Sequence, residues 1–186
     1  MTEWPSERRA VFLITGISAA GKSTVAQLLA ERFPRSVHVR GDAFRRMVVA
    51  GRADMTPDPS YEAQAQLQLR YRQAAMVSDA SFEAGFIVVV QDVALGRGLA
   101  DYVTLIRSRP LLVVVLAPRP EVVAEREAAR VKDAYGGRWA VEQLDAGLRR
   151  ETPRIGLWLD TSEQTPAETV EEILARAWDE AAVPEA

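Results

Sequence analysis

The sequence contains no cysteine and only one histidine among its 186 residues. The absence of cysteine excludes disulfides, thiol chemistry and cysteine-ligated zinc. The single histidine, His38, excludes a multi-histidine metal site, and its place inside an apolar stretch predicts a packed residue rather than a catalytic base. Any chemistry must therefore depend on carboxylates, hydroxyls, arginine, lysine and backbone amides.

Long apolar segments and excess positive charge are also missing. No apolar run approaches the roughly 20 residues that span a bilayer, and residues 1–9 lack the apolar centre of a signal peptide. The net charge of -3 argues against a general nucleic-acid binder. Since 48% of the residues are hydrophobic and 26% are charged, the sequence predicts one folded cytoplasmic domain over residues 1–186, with neither a membrane nor a nucleic-acid partner.

Lysine is the third scarce residue: the chain has 21 arginines but only two lysines, Lys22 and Lys132. A lysine kept in such an arginine-rich chain indicates a position that needs a compact ammonium group rather than a guanidinium fork. Lys22 is the lysine that falls in a recognisable motif.

Short apolar, β-branched runs alternate with stretches of helical periodicity. The predicted strands are 11–15, 37–40, 87–91, 111–116 and 157–159. The predicted helices are 23–33, 61–83, 120–130 and 166–180. Near-continuous apolar strands are typical of a parallel sheet covered on both faces, so the pattern predicts a three-layer α/β domain with right-handed crossovers. Residues 51–60 and 131–154 do not fit the alternation and are predicted to be excursions that carry binding residues.

A glycine-rich loop joins the first predicted strand to the first predicted helix. Residues 16–24 read G-I-S-A-A-G-K-S-T, which is the G-x-x-x-x-G-K-[ST] phosphate-binding loop (P-loop) in its strand–loop–helix context. Its backbone N–H groups are expected to surround phosphate, with Lys22 on the β- and γ-phosphates and the Ser23 hydroxyl on Mg²⁺. The predicted nucleotide contacts are Gly16, Ser18, Ala19, Ala20, Gly21, Lys22, Ser23 and Thr24.

A carboxylate follows the second predicted strand, at the edge where open α/β sheets bind ligands. Asp42 is predicted to accept or orient the proton of an acceptor hydroxyl and to help hold magnesium. The alternative is that Asp42 caps a helix beginning at Ala43. Arg40, Arg45 and Arg46 flank it, either to hold an anionic substrate group or as a solvated helix face.

The third predicted strand ends in Gln91 and Asp92. An apolar strand that ends in aspartate resembles a Walker-B segment, whose carboxylate contacts magnesium directly or through water. Ser23, Asp42 and Asp92 are therefore the predicted magnesium-side residues. The alternative is an ordinary polar residue at the end of a buried strand.

Arginines dominate the stretch near residues 126–154. Arg126 and Arg130 lie one helical turn apart and share a face that leads into a basic segment interrupted by Gly136 and Gly137. They are predicted to be the arginines that a mobile basic lid around 131–154 brings over the transferring phosphoryl group, with Arg126 also contacting the nucleotide. The alternative is a solvated charged helix.

Five segments, taken in chain order, resemble the chloramphenicol phosphotransferase family: 16–24, 39–42, 88–96, 126–130 and 157–162. The resemblance implies a nucleoside-kinase-like P-loop NTPase fold with five parallel strands and helices on both faces. It implies transfer of the ATP γ-phosphoryl group to a drug hydroxyl, with Asp42 as the base. Lys22 and Ser23 would contact phosphate and magnesium, and Arg126 and Arg130 would be the lid arginines.

The sequence thus predicts an ATP-dependent kinase, with ATP and Mg²⁺ as cofactors and a small-molecule hydroxyl as acceptor. Antibiotics are among the candidate acceptors. The alternatives are a kinase of a metabolite, nucleotide or nucleotide sugar, and a nucleotide-dependent regulatory ATPase that has no small acceptor.

Overall fold

Five strands form one parallel sheet in the computed structural model, which describes residues 8–129 and 141–184. They are β1 (Val11–Thr15), β2 (Ser36–Arg40), β3 (Ile87–Gln91), β4 (Leu111–Leu116) and β5 (Leu157–Leu159). Their order across the sheet is β2-β3-β1-β4-β5. The predicted α/β architecture and its five strands are confirmed, with β2 starting one residue earlier than expected.

The central strands carry the continuous apolar runs because both of their faces are covered. Every residue of β1, β3 and β4 is buried, whereas the edge strand β2 is mostly half-buried. A strand packed on both faces has no solvent side on which alternating polar residues would be favoured. The core of the domain therefore lies on both sides of β1, β3 and β4.

Helices connect the strands and cover the two faces. They are α1 (Lys22–Glu31), α2 (Gly41–Met47), α3 (Tyr61–Glu83), α4 (Arg97–Leu105), α5 (Pro120–Ala128), α6 (Val141–Ala146) and α7 (Pro166–Glu180), with a π-helical turn at Gly147–Glu151. α1 packs against α7, and α3 packs against α4. Because right-handed crossovers that run in opposite directions along a sheet fall on opposite faces, these pairs form the two outer layers.

Helix ends differ from the predictions for local reasons. α1 ends at Glu31 rather than at residue 33, because the amides of Arg32 and Phe33 bond to carbonyls three residues back (3.1 and 3.2 Å) and Pro34 follows. α4 and α6 have no counterpart among the predicted helices, and α2 begins at Gly41 rather than at Ala43. With seven and six residues, α2 and α6 are too short for a clear helical period.

A buried carboxylate fixes the long helix α3 against the rest of the domain. Asp79 accepts hydrogen bonds from the backbone N–H groups of Arg107 (3.1 Å) and Ser108 (2.9 Å) and from the Ser108 hydroxyl (2.7 Å). Burial raises the pKa of Asp79, but these hydrogen bonds outweigh that effect and hold its pKa below the ordinary value. Asp79 therefore stays charged and anchors α3 to the segment that follows α4.

Strand register brings the predicted site residues to one edge of the sheet. Arg40 of β2 and Ile14 of β1 both pair with Gln91 of β3. The residues that follow these strands consequently meet at the same carboxyl edge. Gly41 and the P-loop lie on either side of Asp92.

His38 lies on β2, half-buried, and its Nδ1 is 2.9 Å from the Gln27 Oε1 atom. Burial, together with the charge of Arg40, lowers the pKa of His38 from 6.5 to about 4. The position is that of a packed strand residue beside α1, as the sequence predicts.

We expect His38 to make the protein less stable as the pH falls from about 6.5 towards 4. In that range the unfolded chain protonates its histidine while the folded chain does not, so protonation favours unfolding. The difference in urea midpoint between wild type and His38→Gln should change from pH 7 to pH 5, with the wild type losing more. Parallel curves for the two proteins would contradict the assignment. Titrating carboxylates are common to both and cancel in the comparison.

None of the helices within residues 8–129 and 141–184 has the length and apolar content that a membrane crossing requires.

Candidate nucleotide and acceptor site

The loop between β1 and α1 has the curled backbone that phosphate binding requires. Gly16 and Gly21 adopt φ values of 145° and 94°, and Ala19 adopts a φ of 60°, which is uncommon for a residue with a side chain. A Cβ atom at Gly16 would overlap the Leu116 carbonyl oxygen at the end of β4. The loop is therefore held close to β4 in a curled shape of the kind that surrounds phosphate groups with backbone N–H donors.

Lys22 is the first residue of α1 and is buried. Its Nζ atom donates to the carbonyl oxygen of Ile17 at 2.7 Å, so the ammonium group lies across the loop itself. Ser23 is exposed and lines the adjoining cleft. Lys22 therefore lies within the loop and Ser23 faces the cleft, and their contacts with phosphate and Mg²⁺ stay predictions.

Asp42 lies in the first turn of α2, which begins at Gly41. The prediction that it caps a helix beginning at Ala43 is wrong, because the N-cap residue is Arg40. Starting the helix directly at the strand end places Asp42 inside the first turn, where its charge still favours the helix dipole.

Two arginines on the same helix hold the Asp42 carboxylate. The Arg46 Nε atom donates to Asp42 Oδ2 at 3.0 Å, Arg46 Nη2 makes a second bond to the same oxygen, and Arg45 Nη1 lies 3.6 Å from Oδ1. Partial burial raises the pKa of Asp42, but the hydrogen bond and charge of Arg46, with the charges of Arg45 and Arg70, lower it below its ordinary value. Asp42 is thus a carboxylate at neutral pH.

We expect Arg46→Gln to move the acid limb of the pH–rate profile to higher pH. Loss of the Arg46 charge and hydrogen bond removes the principal lowering influences on the Asp42 pKa, so protonation abolishes the ionised form at a higher pH. The measurement is transfer rate against pH for wild type and Arg46→Gln. Arg72→Gln, a change at an exposed arginine that also lines the cleft, is the control. An unshifted acid limb in Arg46→Gln would contradict the role of Asp42 as the ionised group.

Asp92 follows β3 and is only 5% exposed. Its Oδ1 atom accepts from the Val93 N–H at 2.7 Å and lies 2.9 Å from Arg70 Nη2. Its buried Oδ2 atom has no hydrogen-bond partner within residues 8–129 and 141–184. Burial raises the pKa of Asp92, with the charges of Arg70 and Lys22 acting in the opposite direction. A buried carboxylate oxygen without a hydrogen-bond donor costs free energy unless a ligand supplies the missing interaction. The charge of Lys22 lies within electrostatic range of this carboxylate.

The residues at this edge suit a magnesium ion. Mg²⁺ prefers oxygen ligands and keeps several of its own waters. The Ser23 hydroxyl lines the P-loop part of the cleft, the Asp92 Oδ2 atom is an oxygen at the end of β3 without a partner among the described residues, and Asp42 supplies a half-exposed carboxylate. Among the described residues, no three histidine, aspartate or glutamate side chains are grouped closely enough to form a metal site by themselves. A cation here would therefore share its ligands with water and phosphate.

Gln91 is buried at the end of β3 and lines the cleft, one residue before the aspartate. In the structure it occupies the strand position between Ile14 and Arg40. Its neutral amide leaves Asp92 as the acidic residue at the end of this strand.

The predicted lid arginines divide between described and undescribed parts of the chain. Arg126 lies on α5, where its Nη2 atom donates to the Thr161 carbonyl oxygen at 2.9 Å. That bond ties α5 to the segment after β5, and Arg126 is not among the described residues that line the cleft. Arg130 and residues 131–140 lie outside the described residues. The lid and its phosphate contacts stay a prediction.

Of the described part of the predicted lid, residues 141–154, the segment 141–151 is helical and packed rather than an irregular excursion. Leu148 is fully buried, and Arg149 binds Asp145 at 2.9 Å and the carbonyl oxygens of Ala117 (3.2 Å) and Pro118 (3.0 Å). Arg149 therefore clamps this segment to the end of β4. The sequence did not predict this packing, because a single buried leucine and one arginine that binds backbone carbonyls do not produce a recognisable helical period.

Arg70 of α3 is the main site residue that sequence reasoning missed. Its side chain is 15% exposed, it lines the cleft, and it pairs with Asp92. The signal was present in the sequence: Ala63, Leu67, Arg70, Ala74 and Ser78 fall at helical spacing on the face of α3 that the structure buries or half-buries. A charge within such a stripe indicates a buried partner.

One large cleft joins the P-loop to α2 and α3. Its volume is about 2090 Å³, compared with roughly 300–1,000 Å³ for an ordinary small-molecule pocket. Lys22 and Ser23 line one part, while Asp42, Arg46 and Arg70 line the part between α2 and α3. The cleft therefore has room for a nucleotide and a second small molecule.

A family model described as an AAA domain matches residues 11–153. This range includes the P-loop, Asp42, Asp92 and Arg126. The chain belongs to this AAA domain family. No curated protein sequence matches it.

Solved structures with the same fold include three proteins of known description. A gluconokinase from Sinorhizobium meliloti 1021 is 25% identical with a TM-score of 0.61, covering 90% of this chain and 92% of that one. The APS kinase of Mycobacterium tuberculosis in complex with AMPPNP and APS is 20% identical with a TM-score of 0.65, covering 90% and 96%. The Deinococcus radiodurans tunicamycin resistance protein is 21% identical with a TM-score of 0.63, covering 95% and 100%. This AAA domain is a kinase-like P-loop domain.

Proposed function

We propose that this AAA domain is an ATP-dependent phosphotransferase that moves the γ-phosphoryl group of ATP to a hydroxyl of a small molecule. Chloramphenicol is the first antibiotic acceptor to test, given the resemblance of the sequence to chloramphenicol phosphotransferase. The observation that carries the proposal is that Lys22, Ser23 and the ionised Asp42 line one cleft.

The P-loop side of the cleft would hold the nucleotide. Backbone N–H groups of the loop would bind the phosphates, and Lys22 would exchange its bond to the Ile17 carbonyl for the β- and γ-phosphate oxygens. Ser23 and Asp92 would hold Mg²⁺, with Asp42 nearby. When bound, Mg²⁺ neutralises charge on the transferring phosphoryl group.

The α2 side would hold the acceptor. The Asp42 carboxylate would accept a hydrogen bond from the acceptor hydroxyl and orient its oxygen towards the γ-phosphorus. It would take the hydroxyl proton as the new P–O bond forms and the bond from the γ-phosphorus to the β,γ-bridging oxygen breaks, with ADP as the leaving group. Arg46 would keep Asp42 ionised and fixed on α2. Arg126 and Arg130 are proposed to approach the phosphates only when the lid closes, which would exclude water.

A metabolite, nucleotide or nucleotide-sugar acceptor is the second candidate. The part of the cleft between α2 and α3 contains the charged side chains of Asp42, Arg45, Asp54 and Arg70, and such a wall favours an oxygen-rich molecule over an apolar one. The similarity to a gluconokinase agrees with this candidate. A regulatory ATPase without a small acceptor would not need the ionised Asp42 or the space between α2 and α3 that the cleft provides.

The acceptor can be found with a panel of chloramphenicol, tunicamycin, gluconate and adenosine 5′-phosphosulfate. ADP formation from Mg·ATP is measured with each compound, with Lys22→Ala as the inactive control. We expect one class of hydroxyl compound to raise ADP formation well above the rate with ATP alone. If no hydroxyl compound in the panel or in a wider metabolite set changes the rate of ADP formation, the phosphotransferase proposal is contradicted.

A further inference from the structure

Gly41 makes an unusually close approach to the buried aspartate of the neighbouring strand. It is the first residue of α2 and is buried. A Cβ atom at this position would overlap Oδ2 and Cγ of Asp92 and would lie 3.0 Å from Oδ1. The glycine is not required by a left-handed backbone, because its φ lies outside the positive range. The absence of a side chain at Gly41 instead leaves room for the Asp92 carboxylate.

The contact follows from strand register. Because Arg40 pairs with Gln91, the next residues of the two strands, Gly41 and Asp92, are brought together as the strands end. On its other side Asp92 borders β1, where its N–H donates to the Ile14 carbonyl at 3.2 Å. Asp92 thus stands between the strand that leads into the P-loop and the helix that carries Asp42.

The contact also determines where Arg70 lies. Asp92 Oδ1 is used by Arg70 Nη2 and by the Val93 N–H, which fixes the carboxylate plane and turns Oδ2 towards Gly41. If a side chain at position 41 rotated the carboxylate, both the orphaned oxygen and the Arg70 ion pair would move.

We propose that Gly41 is a positioning residue that admits the Asp92 carboxylate and thereby sets the magnesium-side oxygen and the Arg70 guanidinium of the cleft. The magnesium part of this proposal rests on the proposed phosphotransferase function. The steric part depends only on the contact between Gly41 and Asp92. Two measurements separate them.

The first measurement is a stability cycle. Gly41→Ala is made in the wild type, in Asp92→Asn, which keeps the shape of the side chain, and in Arg70→Met/Asp92→Ala, which removes the obstruction and both ion-pair partners. We expect melting points to fall by roughly 5 °C in the first two backgrounds and to change little in the third. If Gly41→Ala alone fails to fold, the same change in the third background should still fold. Equal losses in all three backgrounds would overturn the proposal.

The second measurement is the factor by which Mg²⁺ tightens binding of AMPPNP. Gly41→Ala should reduce this factor roughly tenfold or more, as Asp92→Ala does, because a displaced metal-side ligand weakens metal affinity on that scale. The matched control is Gly98→Ala, also in the cleft, whose Cβ would meet Tyr71 at an ordinary 3.6 Å and should leave the factor unchanged.

The two measurements together assign each failure. A coupled loss of stability with an unchanged Mg²⁺ factor in Gly41→Ala would overturn the positioning role and leave the phosphotransferase proposal standing. A wild type whose AMPPNP binding does not respond to Mg²⁺ would overturn the magnesium part of the positioning role together with the phosphotransferase proposal, and the stability cycle alone would then decide the steric part. The expected result is stability coupling together with a reduced Mg²⁺ factor.

Discussion

Replacing Lys22 by alanine is expected to lower phosphoryl transfer by roughly 10²–10³-fold while the protein stays folded, the scale on which removal of one preorganised charge donor acts. Lys22 Nζ donates to the Ile17 carbonyl oxygen of the loop, so the ammonium group lies in the P-loop rather than among the apolar side chains that cover the sheet. The measurement is single-turnover transfer from ATP, with circular dichroism and melting to verify the fold.

Lys22→Arg is the matched variant, because it keeps the positive charge and changes its shape. The ammonium is compact, whereas a guanidinium is a broad planar fork that does not fit a tight phosphate loop. We therefore expect Lys22→Arg to be impaired as well. Near-normal turnover in folded Lys22→Ala would contradict the nucleotide-site assignment.

Asp42→Asn is expected to lower transfer to the acceptor by roughly 10²–10⁴-fold and to leave nucleotide affinity nearly unchanged. Asparagine keeps the size of the side chain but loses the charge that accepts the acceptor proton. The nucleotide is held mainly by the P-loop, which lies on a different element. Nucleotide binding and single-turnover transfer should be measured on the same folded variant.

Asp101→Asn provides the matched control for this prediction. Asp101 lines the same cleft and pairs with Arg97 at 3.6 Å, so its replacement removes an equal charge from the cleft while Arg45 and Arg46 stay beside Asp42. It should change transfer far less than Asp42→Asn does. A loss of less than about tenfold in Asp42→Asn would assign Asp42 to positioning rather than proton removal, because loose phosphoryl-transfer states need little base assistance. A wild-type rate would contradict any role and would direct attention to Asp92.

The sheet and the P-loop could be predicted from the sequence because their causes are local. Continuous apolar runs mark β1, β3 and β4, which the structure buries completely. The loop motif needs only a strand before it and a helix after it. The 23 residues of α3 were also predicted with their observed bounds, since a long helix repeats its period many times.

The rest of the site depends on contacts between distant segments. Arg70 and Asp92 meet because α3 packs across β3, and Gly41 meets Asp92 because of the β2–β3 register. No pattern within a single segment specifies either contact. Arg149 is a similar case: its basic neighbourhood predicted a lid, whereas its guanidinium binds carbonyl oxygens at the end of β4. The sequence gives the position of each charged residue along the chain, whereas strand register and helix packing determine which groups each side chain contacts.

Phosphorus NMR of a reaction that contains Mg·ATP, the protein and the acceptor selected from the panel tests the central claim most directly. A phosphotransferase to a hydroxyl should produce a new phosphomonoester signal that grows at the same rate as the ADP signals, with little inorganic phosphate. The signal should be absent with Lys22→Ala. ADP accompanied only by inorganic phosphate would contradict the account, because the γ-phosphoryl group would then be passing to water, as in a regulatory ATPase.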